Sequence, residues 1–167
     1  QFDLGVSYDK GRGVPKDEKK AAYWYTKSAE QGYLDAQYNL AGMYFLGRGI
    51  AQDQAQAGFW YRKAAEQGDS EAQYNLAVMY ENGTGLPQNY KEAVRWYEKS
   101  ANQGFVNAQY NLAELYYSGT GVKQDYKEAA RWYEKAAEQG DLSSQFNLAL
   151  LYYDGLGVDQ DYSQAIY

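Results

Sequence analysis

Residues 38–44 read YNLAGMY, and the phrase returns as YNLAVMY at 74–80, YNLAELY at 110–116 and FNLALLY at 146–152, each 36 residues after the last. FDLGVSY at 2–8 carries the register back by one more step. Residues 74–109 and 110–145 agree at 22 of 36 positions without an insertion, so the period belongs to the whole block and not to one phrase. A period of this length signals a solenoid, in which a unit buries its apolar face only by stacking on its neighbours. The chain divides as units 2–37, 38–73, 74–109 and 110–145 with a partial unit at 146–167, all in one repeat domain.

Within a unit the pattern gives two helices. In EAQYNLAVMYEN (71–82), Ala72, Leu76, Ala77, Met79 and Tyr80 fall at helical spacing and form the buried side of a first helix, helix A. Residues 89–103, NYKEAVRWYEKSANQ, form helix B, opened by Asn89 where the other units carry Asp17, Asp53, Asp125 and Asp161 as N-caps. Its core face is Ala93, Tyr97 and Ala101. Gln103-Gly104 ends it, as do Gln31-Gly32, Gln67-Gly68 and Gln139-Gly140, with the glycine in the left-handed position after the helix. The spacing predicts ten helical segments near 2–10, 17–31, 35–46, 53–67, 71–82, 89–103, 107–118, 125–139, 143–154 and 161–167, and no strands.

A Gly-x-Gly pair at 11/13, 47/49, 83/85, 119/121 and 155/157 invites a phosphate-binding reading, because glycine lets backbone N–H groups approach an anion. The pair never follows a strand and is never followed by Lys-Ser or Lys-Thr. Five copies at one slot mark joints between helices A and B. The chain has no histidine and no cysteine, so Ser-His-Asp and Cys-His pairs and the usual zinc ligands are missing, and no disulfide forms. No cofactor is called for. A net charge of −6 argues against the phosphate-neutralising surface that nucleic acid requires and against adhesion to anionic lipid. No apolar run approaches the roughly 20 residues of a membrane-spanning helix.

The unit Ala-Gln-Tyr-Asn-Leu-Ala-x-Met/Leu-Tyr, then Gly-x-Gly, Asp, Ala, Trp-Tyr, Lys-Ser/Ala-Ala and Gln-Gly, as in 72–104, closely resembles the Sel1-like repeat over essentially the whole chain. The resemblance implies an all-α, right-handed superhelix of 36-residue helix-turn-helix repeats related to the tetratricopeptide repeat, acting as a non-enzymatic adaptor that holds proteins together. A cysteine-rich bacterial branch of the family staples each unit with a disulfide; this chain lacks those cysteines. Ser28, Ser70, Ser100 and Ser143 are not followed three residues later by lysine, so none of them supports a beta-lactamase label.

Positions repeated in every unit are read as architecture: Trp24, Trp60, Trp96 and Trp132 on helix B, Tyr44, Tyr80, Tyr116 and Tyr152 closing each pair, and Ala41, Ala77, Ala113 and Ala149 where helices approach. By resemblance to tetratricopeptide repeats, helix A lines a concave groove. Its candidate peptide-binding residues are Tyr38, Asn39 and Phe45, then Tyr74, Asn75 and Glu81, then Tyr110, Asn111, Glu114 and Tyr117, then Asn147 and Tyr153. The helix A segments hold seven acids, Asp3, Asp9, Asp35, Glu71, Glu81, Glu114 and Asp154, against Lys10 alone, so the whole net charge lies on one helix set. That segregation favours a protein or peptide partner with basic side chains. Asn39, Asn75, Asn111 and Asn147 either grip a peptide backbone or brace neighbouring units, while Asp3 at the same slot lacks the amide donor. An envelope module that binds glycan or peptidoglycan on Tyr117, Tyr153 and Phe45 is the alternative. The compartment, periplasmic or secreted or cytoplasmic, stays open. The termini fall inside helices, which predicts a longer parent protein or end-to-end self-association through Phe2, Leu4, Ile166 and Tyr167.

Overall fold

The structure, a computed structural model, describes residues 1–165, and among them every regular element is a helix. Helix A segments are α1 (Phe2–Lys10), α3 (Leu34–Leu46), α5 (Ser70–Asn82), α7 (Val106–Ser118) and α9 (Leu142–Asp154); helix B segments are α2 (Glu18–Ala29), α4 (Gln54–Glu66), α6 (Tyr90–Asn102) and α8 (Tyr126–Glu138). They fall into two compact units, Gln1–Gln88 with α1 to α5 and Asn89–Tyr167 with α6 to α9. Inside each unit a helix packs chiefly on the next one in the chain.

The helix B starts differ from the expected ones by the width of a cap. Asp17, Asp53, Asn89 and Asp125 are extended (φ near −150°), and their side chains accept from backbone N–H groups two or three residues on, as Asp53 does from Gln56 N at 3.0 Å. Each therefore stands just outside its helix. Helix A starts one residue earlier than expected, because Tyr33, Asp69, Phe105 and Asp141 take the extended cap position; Asp69 accepts from Ala72 N at 2.6 Å and Asp141 from Ser144 N at 2.7 Å. Of the tenth expected segment, residues 162–165 form a turn opened by Asp161, whose Oδ1 accepts from Ser163 N at 2.8 Å; Ile166 and Tyr167 lie outside the described residues.

The core is alanine against large side chains. Ala72, Leu76, Ala77 and Met79 of α5 are fully buried, as are Ala93, Tyr97 and Ala101 of α6 and Ala129, Tyr133 and Ala136 of α8. The small residues let backbones approach, and each buried leucine or tyrosine contributes about 1.5–3 kcal/mol by leaving water. In the first unit Trp60 of α4 packs on the cluster formed by Ala22, Tyr25 and Leu40, so this tryptophan joins successive repeats. In the second unit Trp96 and Trp132 are buried, with Lys99 Nζ 4.1 Å and Lys135 Nζ 4.5 Å from their ring centres.

The two glycines of each joint have different jobs. Gly83 closes α5 in the left-handed region at φ 68°, its N–H donating to Met79 O. Gly85 shares that φ and is pressed onto the start of the preceding helix B, where a Cβ would lie 2.3 Å from the Gln54 carbonyl oxygen. Equivalent approaches place Gly49 on Glu18, Gly121 on Tyr90 and Gly157 on Tyr126. The second glycine is thus a contact between repeats as well as a turn.

Each unit contains a glutamine ladder. The buried side chains of Gln37, Gln73 and Gln109, with half-buried Gln145, donate to the carbonyls of Ala29, Ala65, Ala101 and Ala137 at the end of the preceding helix B, at 3.0–3.2 Å. Gln67 and Gln139 then donate to Gln37 Oε1 and Gln109 Oε1 at 2.7 and 2.8 Å. Orphan carbonyls at a helix end need partners when covered, and here the next repeat supplies them.

Candidate functional site: the helix A face

Helical spacing places Tyr38, Asn39 and Phe45 of α3 and Tyr74, Asn75 and Glu81 of α5 on half-buried positions of the first unit. Tyr38 donates to Glu71 Oε2 at 2.7 Å and stacks edge-on to Tyr61 with centroids 5.7 Å apart. Burial, reinforced by the Glu71 carboxylate, holds the Tyr38 hydroxyl above its ordinary pKa. Burial also raises Asp69 at the head of α5, with Glu71 and Asp35 adding repulsion, so three acids gather at this end of the face. Asp9, by contrast, is buried against Arg48, its Oδ1 2.5 Å from Nη2, and Arg48 Nε reaches Glu18 at 3.3 Å. Of the acids counted on helix A, Asp9 is therefore neutralised inside the fold.

The second unit brings predicted residues together most closely. Tyr110, Glu114 and Tyr117 of α7 and Asn147 of α9 line one open cavity of about 320 Å3, with Tyr133, Leu150, Leu151, Asp154 and Leu156 completing it. Glu114 Oε1 accepts from the Tyr133 hydroxyl of α8 and from Asn147 Nδ2 at 2.9 Å. Burial and then the Glu114 hydrogen bond push the Tyr133 hydroxyl well above its usual range, and burial with the nearby carboxylate does the same, less strongly, for Tyr110. Tyr110 and Tyr133 lie 6.0 Å apart, and Tyr117 stands edge-on to Tyr126 at 5.3 Å. Tyr117 and Tyr153 are exposed.

Three of the four asparagines are engaged within the protein. Asn39 Nδ2 donates to its own helix at Asp35 O (2.7 Å), Asn111 Nδ2 reaches the Tyr97 hydroxyl of α6 (2.9 Å), and Asn147 Nδ2 holds Glu114. Asn111 and Asn147 thereby tie neighbouring helices together. Sequence reasoning passed over the ladder glutamines and a second set: Gln52, Gln88, Gln124 and Gln160 each donate at 2.8 Å to the carbonyl seven residues earlier, that of Phe45, Glu81, Tyr117 or Tyr153. Their signal was present as glutamine at a fixed slot five residues after the first joint glycine.

A family model described as Sel1 repeat matches residues 1–33, 34–69, 70–105, 106–141 and 142–167, the same period cut at a different phase from the units above. The chain belongs to the Sel1 repeat family. Among solved structures it resembles a protective antigen of uropathogenic Escherichia coli displaying an SLR fold, at 41% identity over 98% of this chain and 35% of that one, with a TM-score of 0.95. It also resembles a Sel1 repeat protein of Oxalobacter formigenes, at 40% identity over 99% of this chain and 68% of that one, with a TM-score of 0.94. Helicobacter pylori cysteine rich protein B is 25% identical over 77% of this chain and 92% of its own, with a TM-score of 0.60. No curated protein matches. The chain spans about a third of the length of its Escherichia coli relative. Its fold is of the all-α Sel1 repeat class, a class of protein-interaction scaffolds, and these relatives are bacterial. None of the described helices is long and apolar enough to cross a membrane.

Proposed function

We propose that this Sel1 repeat chain is a non-enzymatic scaffold that binds an extended protein segment along the helix A face, and that the segment carries basic side chains. The observation that supports the reading most is the convergence of Tyr110, Glu114, Tyr117 and Asn147 on one open cavity while the chain's net charge sits on the helix A set. Extended segments suit such a face because aromatic and polar side chains recur at the repeat spacing within each unit. Exposed Tyr117 and Tyr153 support a second reading, a glycan platform, since sugar rings stack on such side chains.

The test is binding of the purified chain to arrays of extended peptides of graded net charge beside arrays of cell-wall glycans. Binding should rise with Lys and Arg content and weaken with salt, and the Glu81→Gln, Glu114→Gln double variant should associate more slowly with a flatter salt dependence, because steering charge is lost while shape is kept. Retention on glycans alone would favour the second reading. Equal association by the double variant would move the binding surface off this face.

A further inference from the structure

The cavity between α7, α8 and α9 differs from the rest of the helix A face in what its repeat places there. The slot of Glu114 holds Val6, Gly42, Val78 and Leu150 in the other units, and the slot of Asp154 holds Lys10, Leu46, Asn82 and Ser118. This pair of slots therefore carries two carboxylates only here. Neither Glu114 nor Asp154 takes part in an ion pair among the described residues, and no Lys or Arg lines the cavity. Glu114 is held in place by donation from Tyr133 and Asn147 onto one oxygen, so its position is set before any guest arrives. The rings of Tyr110 and Tyr117 form walls, and Leu150 supplies an apolar surface.

This combination matches one kind of side chain. A Lys or Arg has an aliphatic stem that an apolar wall covers and a cationic head that is attracted both by carboxylates and by ring faces. An anionic guest would meet two carboxylates, and a wholly apolar one would desolvate them without return. The available 320 Å3 accommodates one such side chain. We infer that this cavity is the anchoring pocket for a single Lys or Arg of the bound segment, which fixes the register of that segment along the repeats. The inference rests on the protein-binding reading above and adds to it a place and a residue class.

The test is selection of 12-residue peptides from a random display library on the full chain, followed by affinity measurements on recovered peptides. The expected result is one shared basic position, with replacement of that residue by norleucine weakening binding at least tenfold. Glu114→Gln should weaken it to a similar degree at an unchanged melting temperature, since the glutamine carbonyl still accepts the Tyr133 and Asn147 bonds. The two losses should not add, because they remove the same contact. Asp154→Asn, an exposed change at the rim, gives an independent second reading of the effect on a fold left intact. Peptides that bind with no shared basic residue, or that bind both variants at full affinity, would overturn the pocket and leave the scaffold reading standing. Recovery of no peptide at all would overturn both.

Discussion

At the scale of single residues, the asparagines of one slot are not equivalent, although the sequence repeats them. Asn111 donates to the hydroxyl of Tyr97, a fully buried side chain on a different helix, whereas Asn39 donates to a carbonyl four residues back in its own exposed helix face. Asn111→Ala should therefore cost about 1–3 kcal/mol of stability through the lost bond to a buried group. Asn39→Ala should stay within about 0.5 kcal/mol, as substitutions at positions without a tertiary partner do. Denaturant titration of the two variants decides this, and equal losses would mean that the slot acts by local helix propensity. The periodicity made the slot legible. It could not say whether the amide turns inward or along its own helix, because that depends on the neighbour's hydroxyl being within reach.

At the scale of helices and their joints, most boundaries were readable from Asp or Asn caps and from glycines. The helix B starts shifted by one residue, since a capping side chain works only from outside the helix. The ladder of Gln37, Gln73, Gln109 and Gln145 was not readable as structure, because a glutamine in an otherwise apolar stripe declares its carbonyl partner only once the preceding helix is set beside it. The joints allow a contrast between two glycines of the same slot. Gly13 has φ 73° with open space around its missing side chain, while Gly85 has φ 68° with the Gln54 backbone in the way. Gly13→Ala should cost the left-handed conformation alone, about 1–2 kcal/mol. Gly85→Ala should cost distinctly more, because a helix start must move as well. Thermal unfolding of the two variants tests this, and matched melting temperatures would reduce the second glycine to a turn residue.

At the scale of the whole molecule, the absence of histidine and cysteine and the abundance of tyrosine set the response to pH. Between about pH 6 and 9 no side chain type in this chain has its ordinary pKa, so stability should be nearly flat. At higher pH the buried tyrosines act. Burial, aided by the Asp9 charge, raises Tyr25 to about 12, and burial with Glu71 does the same for Tyr61. Unfolded tyrosine releases its proton near pH 10, so between about pH 10 and 12 the folded state holds protons that the unfolded state has lost, and stability falls as pH rises. The slope is about 1.4 kcal/mol per pH unit for each fully buried tyrosine. Phenolate absorbance followed together with circular dichroism should show a late group of tyrosines that ionises only as helicity is lost. Ionisation of all of them near pH 10 with helices intact would refute the assignment. What was legible at this scale was the class of fold; the neutralisation of Asp9 by Arg48 was not, since Arg48 is a loop residue brought back onto α1 by the first repeat junction.

The pressed glycine carries a historical consequence. Gly49, Gly85, Gly121 and Gly157 bear on Glu18, Gln54, Tyr90 and Tyr126, four positions with three different side chains, and in each case backbone atoms are among those met. A joint that feels main chain is indifferent to which residue it meets. Tandem copying of a 36-residue block would splice into such an array at any junction without a compensating substitution. The residue under the glycine could then drift freely, which lets gene duplication lengthen the protein while each copy acquires its own surface.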